Sequence, residues 1–176
     1  MYIEQLGRHF SIGSRPEAEI LAEGDYNFWN VISLIGPDDP AFPAHRGAKS
    51  LHTERFLDIE DLDALYAVRK VHLERVFSFV DELEFTEPIL VHCVQGLSRS
   101  TAVALGIIAR ALYLDGEDVP VPEALEIIFK LRPVAAPNPL VMKIAFEQFL
   151  PANEVEEAIA LVRDDERVMG NQFSRF

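Results

Sequence analysis

Pro88-Ile89-Leu90-Val91-His92-Cys93-Val94-Gln95-Gly96-Leu97-Ser98-Arg99-Ser100 decides the fold of this chain. Its first five residues form a short apolar run, the pattern of a strand buried on both faces of a parallel sheet. Residues 100–114 follow as a helix that is apolar nearly all round, which places it at the centre of the molecule. A buried strand, a tight loop and a buried helix make half of an α/β unit. The flanks supply the rest. Residues 30–35, a β-branched run, are stopped by Gly36-Pro37-Asp38-Asp39-Pro40 and read as a strand and a turn. Residues 51–57 read as a second strand with imperfect alternation, and 58–63 as an acidic loop. Over 64–84, Leu73, Val76, Phe77, Val80 and Leu83 recur at helical spacing.

Three more helices are expected. One spans 122–131. The next opens at Asn138-Pro139, with asparagine as N-cap and proline at the first helical position, and Pro151 ends it. The last spans 153–167, with Asn153 and Glu156 spaced as a capping box, and a loose tail follows at 170–176. Strands alternating with helices imply an α/β fold: a mostly parallel sheet flanked by helices. With 176 residues and 49% hydrophobic side chains, the chain is expected to be one domain, residues 1–176, with its core over about 10–150.

Composition narrows the partners. Sixteen basic against 29 acidic side chains give a net charge of −13, which argues against nucleic acid and anionic membrane surfaces. Residues 1–10 carry Glu4, Arg8 and His9 and no apolar run, so no signal peptide is expected. The longest apolar stretch, 101–114, contains Arg110 and is too short to span a bilayer. One cysteine excludes a disulfide framework and fits a reducing, cytoplasmic compartment. The five histidines are scattered without metal-ligand spacing, so neither metal nor cofactor is expected.

A lone cysteine is ordinarily a small buried hydrophobe. Here its neighbours change that reading. The loop leaves the carboxyl end of a parallel strand, where α/β folds place ligands. It enters a helix whose unpaired N–H groups and dipole favour an anion. Gly96 permits positive φ, so the amides of Val94, Gln95, Gly96, Leu97, Ser98 and Arg99 can curl around one tetrahedral anion. Arg99 can close that ring with a planar, bidentate fork. The same positive field favours a thiolate at Cys93, the nucleophilic form. The Ser100 hydroxyl can donate to the sulfur, and His92 is expected to orient the loop backbone rather than transfer protons. A His-Cys-x2-Gly-x2-Arg-Ser/Thr pattern arises by chance in such a chain on the order of a few times in 10⁵.

His92-Cys93-x5-Arg99-Ser100, in mid-chain after a strand, resembles the signature of the cysteine-dependent protein tyrosine phosphatases. The short domain looks most like the dual-specificity branch, particularly the compact bacterial tyrosine phosphatase-like proteins. Phe56-Leu57-Asp58-Ile59 and Leu131-Arg132-Pro133-Val134-Ala135-Ala136-Pro137-Asn138-Pro139 extend the likeness. The resemblance implies a phosphotyrosine-phosphatase-like fold and two-step hydrolysis through a phosphocysteine. Cys93 would be the nucleophile, Val94 to Ser98 with Arg99 would bind the phosphoryl group, and Ser100 would assist breakdown of the intermediate. An upstream aspartate would be the general acid: Asp58 by preference, Asp61 as the alternative, Asp63 after both. The substrate would be a phosphorylated protein, bearing phosphotyrosine or phosphoserine/threonine, or a small phosphomonoester.

The loop interior carries no lysine, unlike relatives that act on inositol lipids. The group His45, Arg46, Lys49 and His52 is the one local basic exception. Two other classes stay open. A rhodanese-like sulfurtransferase would need no upstream acid, and its loop often lacks the closing Arg-Ser. A non-catalytic phosphoresidue-binding module usually has a replaced nucleophile. Arsenate reduction would require further thiols in trans.

Overall fold

The computed structural model describes residues 1–43 and 46–173. Five strands, β1 (Tyr2–Ile3), β2 (Arg8–Ser14), β3 (Asn30–Ile35), β4 (Ser50–Arg55) and β5 (Ile89–Cys93), form one sheet in the order β1-β2-β5-β3-β4. The last four are parallel, and β1 closes one edge antiparallel to β2. Every residue of β3 and β5 is buried, which is why their sequences read as continuous apolar runs rather than as alternation. Ser14 lies opposite Cys93, Ser33 opposite His92 and Ile35 opposite Arg55. Four strand ends therefore deliver their loops to one edge.

Among the described residues seven α-helices cover the sheet: α1 (Arg15–Gly24), α2 (Lys70–Glu82), α3 (Arg99–Leu114), α4 (Pro120–Leu131), α5 (Pro139–Phe146), α6 (Ala152–Arg163) and α7 (Glu166–Phe173). On one face Phe10, Ile12, Ile32, Leu34 and Val91 pack beneath α3, itself enclosed by α4 and α5. Gly106 makes that enclosure possible, since a Cβ there would sit 2.8 Å from the Cβ of Ala145. On the other face Ala18 and Ala22 of α1 meet Val31, Leu90 and Trp29.

The α/β layering and the strand–loop–helix at Cys93 agree with the sequence, and several helix boundaries do not. The helix expected over 64–84 begins only at Lys70. Tyr66 takes a left-handed φ of 61°, its carbonyl accepts from Leu57 N at 2.9 Å, and the Arg69 guanidinium bonds the Leu62 carbonyl. Those contacts staple 57–69 into a loop. The Asn153–Glu156 capping box does not form. Instead Asn153 lies inside α6, and Glu156 accepts from Lys143 Nζ at 2.6 Å. The chain breaks at Asp164 and Asp165, where Asp165 Oδ1 accepts from Arg167 N at 2.8 Å, so the expected 153–167 helix is two helices. Of the tail at 170–176, residues through 173 are helical, and 174–176 lie outside the described residues.

β2 and α1 had a signal that the periodicity reading passed over. Phe10 and Ile12 alternate, and Ser14-x-x-Glu17 is a capping box with Pro16 in the first turn. Among the described residues no helix is long and apolar enough to cross a membrane.

Candidate active site

Cys93 ends β5, 2% exposed, and the chain turns through Val94, Gln95, Gly96, Leu97 and Ser98 before α3 starts at Arg99. Two donors converge on the sulfur. Gly96 N–H lies 3.2 Å from Sγ, and the Ser100 hydroxyl 3.3 Å from it. Gly96 has φ +72°, and a Cβ there would lie 2.4 Å from the Gly13 carbonyl carbon and Ser14 nitrogen. Only glycine meets both demands.

The loop's carbonyls are held on the outside. Arg15 N donates to Val94 O at 3.2 Å, and Ala136 N to Leu97 O at 2.8 Å. Arg132 Nε donates to Gly96 O at 3.0 Å and Nη2 to Gln95 O at 3.4 Å, while Nη1 bonds Glu17 Oε1 at 2.9 Å. Pinning the carbonyls outward turns the intervening amides inward, the arrangement that cradles an anion. Burial works to raise the Glu17 carboxyl, but hydrogen bonds from Arg132 and Ser14 overcome it and hold it at about 2. The carboxylate is thus a permanent partner for Arg132.

Arg99 is 7% exposed and donates from Nη1 to the Phe56 carbonyl at 2.8 Å. Its Nε is buried without a hydrogen-bond partner among the described residues. One edge of the guanidinium is thus anchored to the end of β4, and donors remain for a ligand. Asp58 meets the loop directly. Its Oδ1 accepts from Ser98 Oγ at 2.6 Å and from Asn138 Nδ2 at 2.9 Å. Asn138 also caps α5, its Oδ1 accepting from Val141 N at 3.0 Å. Asp61, by contrast, turns back on its own loop and accepts from Asp63 N at 2.9 Å. All three aspartates are exposed, but the structure bonds Asp58 to the cysteine loop and keeps the Asp61 carboxylate bonded within its own loop.

His92 is fully buried against the Phe42 ring, centroids 4.5 Å apart, and its Nδ1 donates to Cys93 O at 3.3 Å. Desolvation is the main cause that lowers its pKa to about 4. A neutral ring bonded to backbone fits the orienting role rather than proton transfer.

The basic group lies elsewhere. Lys49 pairs with Glu87, Arg46 with Glu23 and His52 with Glu54, at distances of 2.5, 3.7 and 3.0 Å. His45 lies outside the described residues. The cations at the carboxyl edge are tied to loop backbone: Arg15 to the carbonyls of Pro40 and Ala41, and Arg55 to those of Gly36, Pro37 and Asp39. Arg132, Glu17 and Asn138 flank the loop, and sequence reasoning assigned none of them a role. Arg132 and Asn138 lie in the 131–139 stretch that extends the resemblance, and Glu17 in the Ser14–Glu17 box.

No family model matches the chain. It is 28% identical over 129 residues to a probable dual specificity protein phosphatase of Dictyostelium discoideum, covering 73% of this chain and 29% of that one. It is 33% identical over 123 residues to mouse dual specificity protein phosphatase 12, covering 69% and 34%. The chain therefore spans about a third of the length of these curated relatives. Its fold matches the crystal structure of human DUSP28 with a TM-score of 0.55 at 22% identity, over 86% of this chain and 94% of that one.

Proposed function

Because the chain is a dual-specificity-like member of the protein tyrosine phosphatase superfamily, we propose that it hydrolyses phosphomonoesters through a phosphocysteine. The observation that carries this reading is the meeting of Cys93 Sγ, its two donors and Asp58 around one loop. The Cys93 thiolate attacks phosphorus while the loop amides and Arg99 hold the non-bridging oxygens. The P–O bond to the leaving group breaks, and Asp58 delivers its proton to the departing oxygen. Water then attacks the phosphocysteine, giving its proton to the Asp58 carboxylate. The P–S bond breaks, and the Ser100 hydroxyl supports the returning thiolate. Inorganic phosphate leaves.

The substrate is a phosphorylated protein, carrying phosphotyrosine or phosphoserine/threonine, or a small phosphomonoester. The tethered arginines at the carboxyl edge favour a single phosphate over a polyphosphorylated headgroup. Each step uses this chain's residues and water, so the activity is expected to survive a chelator. The test is p-nitrophenyl phosphate turnover across pH with chelator present, repeated on Cys93→Ser. Turnover that the variant abolishes supports the proposal. No turnover in the wild type, or thiosulfate-to-cyanide sulfur transfer in its place, overturns it.

A further inference from the structure

At the amino edge of the sheet, away from Cys93, β2, α2 and α3 line a half-open cavity of about 410 Å³. That volume is in the range of small-molecule sites. Leu6, Phe10, Phe77, Leu83, Ile89 and Ile107 supply apolar walls. Arg8 also lines it, 9% exposed, and its Nη1 is buried with no hydrogen-bond partner among the described residues.

The carboxylates of Asp81 and Glu87 are engaged elsewhere. Asp81 holds Arg110 through two bonds of 2.7 and 2.9 Å. Glu87 accepts from Lys49 and Asn30, one on each oxygen. Burial pushes the Arg8 guanidinium below its ordinary value, with Glu87 only partly opposing. The Phe85 ring lies 5.8 Å from Arg8 Cζ, and a buried guanidinium nitrogen without a hydrogen-bond partner is still costly. An anion in the cavity would repay that cost.

We propose that this cavity binds a small amphiphilic carboxylate, its apolar body against Phe10, Phe77 and Ile89 and its carboxylate on the Arg8 guanidinium. A monoanion fits better than a phosphate. Arg110 is already neutralised by Asp81, and exposed Asp115 at the mouth would repel a second negative charge. The site does not depend on the phosphatase reading, because none of its residues touches the cysteine loop.

The probe is sodium octanoate, titrated calorimetrically into the full chain, with 1-octanol as its uncharged counterpart. One saturable octanoate site is expected, with 1-octanol roughly tenfold or more weaker. Arg8→Met should weaken octanoate to the level of the alcohol. Ala111→Phe, which fills the cavity and leaves Arg8 in place, should abolish both, and circular dichroism checks that each variant is folded. Inorganic phosphate should not compete. No saturable binding below about 10 mM, equal octanoate affinity in Arg8→Met, or displacement by phosphate would each overturn the proposal.

Discussion

Replacing Asp58 by asparagine separates proton delivery from architecture. Asp58 Oδ1 is an acceptor twice over, from Ser98 at 2.6 Å and from Asn138 at 2.9 Å. An asparagine oxygen can accept both bonds, so the side chain stays where it is and only the acidic proton is lost. A placed general acid is worth ~10²–10⁴-fold, or about 3–5 kcal/mol at 1.36 kcal/mol per decade. Asp58→Asn should therefore slow hydrolysis of phenyl phosphate or a phosphotyrosine peptide by that factor. It should slow p-nitrophenyl phosphate far less, because a stable phenolate scarcely needs the proton. The assay is kcat/KM for a series of aryl phosphates, plotted against leaving-group pKa for wild type, Asp58→Asn and Asp61→Asn. A steeper slope in Asp58→Asn alone is expected. Asn138→Ala gives a graded version: the acid remains but loses its positioner, and α5 loses its N-cap at a stability cost of about 1 kcal/mol. If the slope steepens in Asp61→Asn and not in Asp58→Asn, the acid is misassigned. If it changes in neither, the proton comes from outside 57–69.

Arg99→Lys should lower kcat/KM by roughly 10²-fold or more despite keeping the charge, since a lysine cannot offer a planar fork; activity within about threefold of wild type would refute the bidentate role. Gly96→Ala combines a left-handed φ costing about 1–2 kcal/mol with a Cβ 2.4 Å from Gly13 and Ser14 backbone. It should leave a folded protein with a lower melting temperature and activity reduced ~10²-fold, and near-normal turnover would mean that the loop has another shape. His92 binds its proton at about 4 in the folded chain against 6.5 unfolded, so the unfolded state takes up more protons between those values. Stability from this group is then complete above pH 6.5 and falls as pH drops towards 4, by up to about 3 kcal/mol. Urea unfolding at pH 7 and pH 4.5 should show that loss in wild type and a smaller one in His92→Asn, and equal losses would refute it.

The fold was legible where one local pattern answers to one environment. β3 and β5 are buried on both faces and α3 on all sides from Arg99 to Ala109, so hydrophobicity alone marks them. It was misleading where tertiary contacts override a periodic pattern. Residues 64–69 continue the apolar spacing of α2, yet Leu65 and Tyr66 are exposed and the Arg69 guanidinium bonds the Leu62 carbonyl. At the C-terminal helices, Pro151 already precedes the first turn of α6, which leaves Asn153 inside it, and after the break Asp165 accepts from the N–H of Arg167 at the start of α7.

The site divides along the same line. Cys93, Gly96, Arg99 and Ser100 lie within one eight-residue window, because a loop between strand and helix builds an anion nest from neighbouring amides. What holds that nest open comes from far away in sequence: Arg132 is 36 residues from Gly96, Asp58 is 40 from Ser98, and Asn138 is 80 from Asp58. No spacing rule connects them. Asp58 and Asp61 are alike in exposure and neighbourhood, and only the bonds from Ser98 and Asn138 distinguish them. Asn138 illustrates why a cap can also be a site residue. Its Oδ1 starts α5 and its Nδ2 carries Asp58, so one buried amide fixes both the helix and the acid. Glu17 does the same on the opposite wall, capping α1 with one oxygen and holding Arg132 with the other. Both flanks of the cysteine loop are thus set by residues that also start helices, so loosening either helix start would disturb the geometry around Cys93.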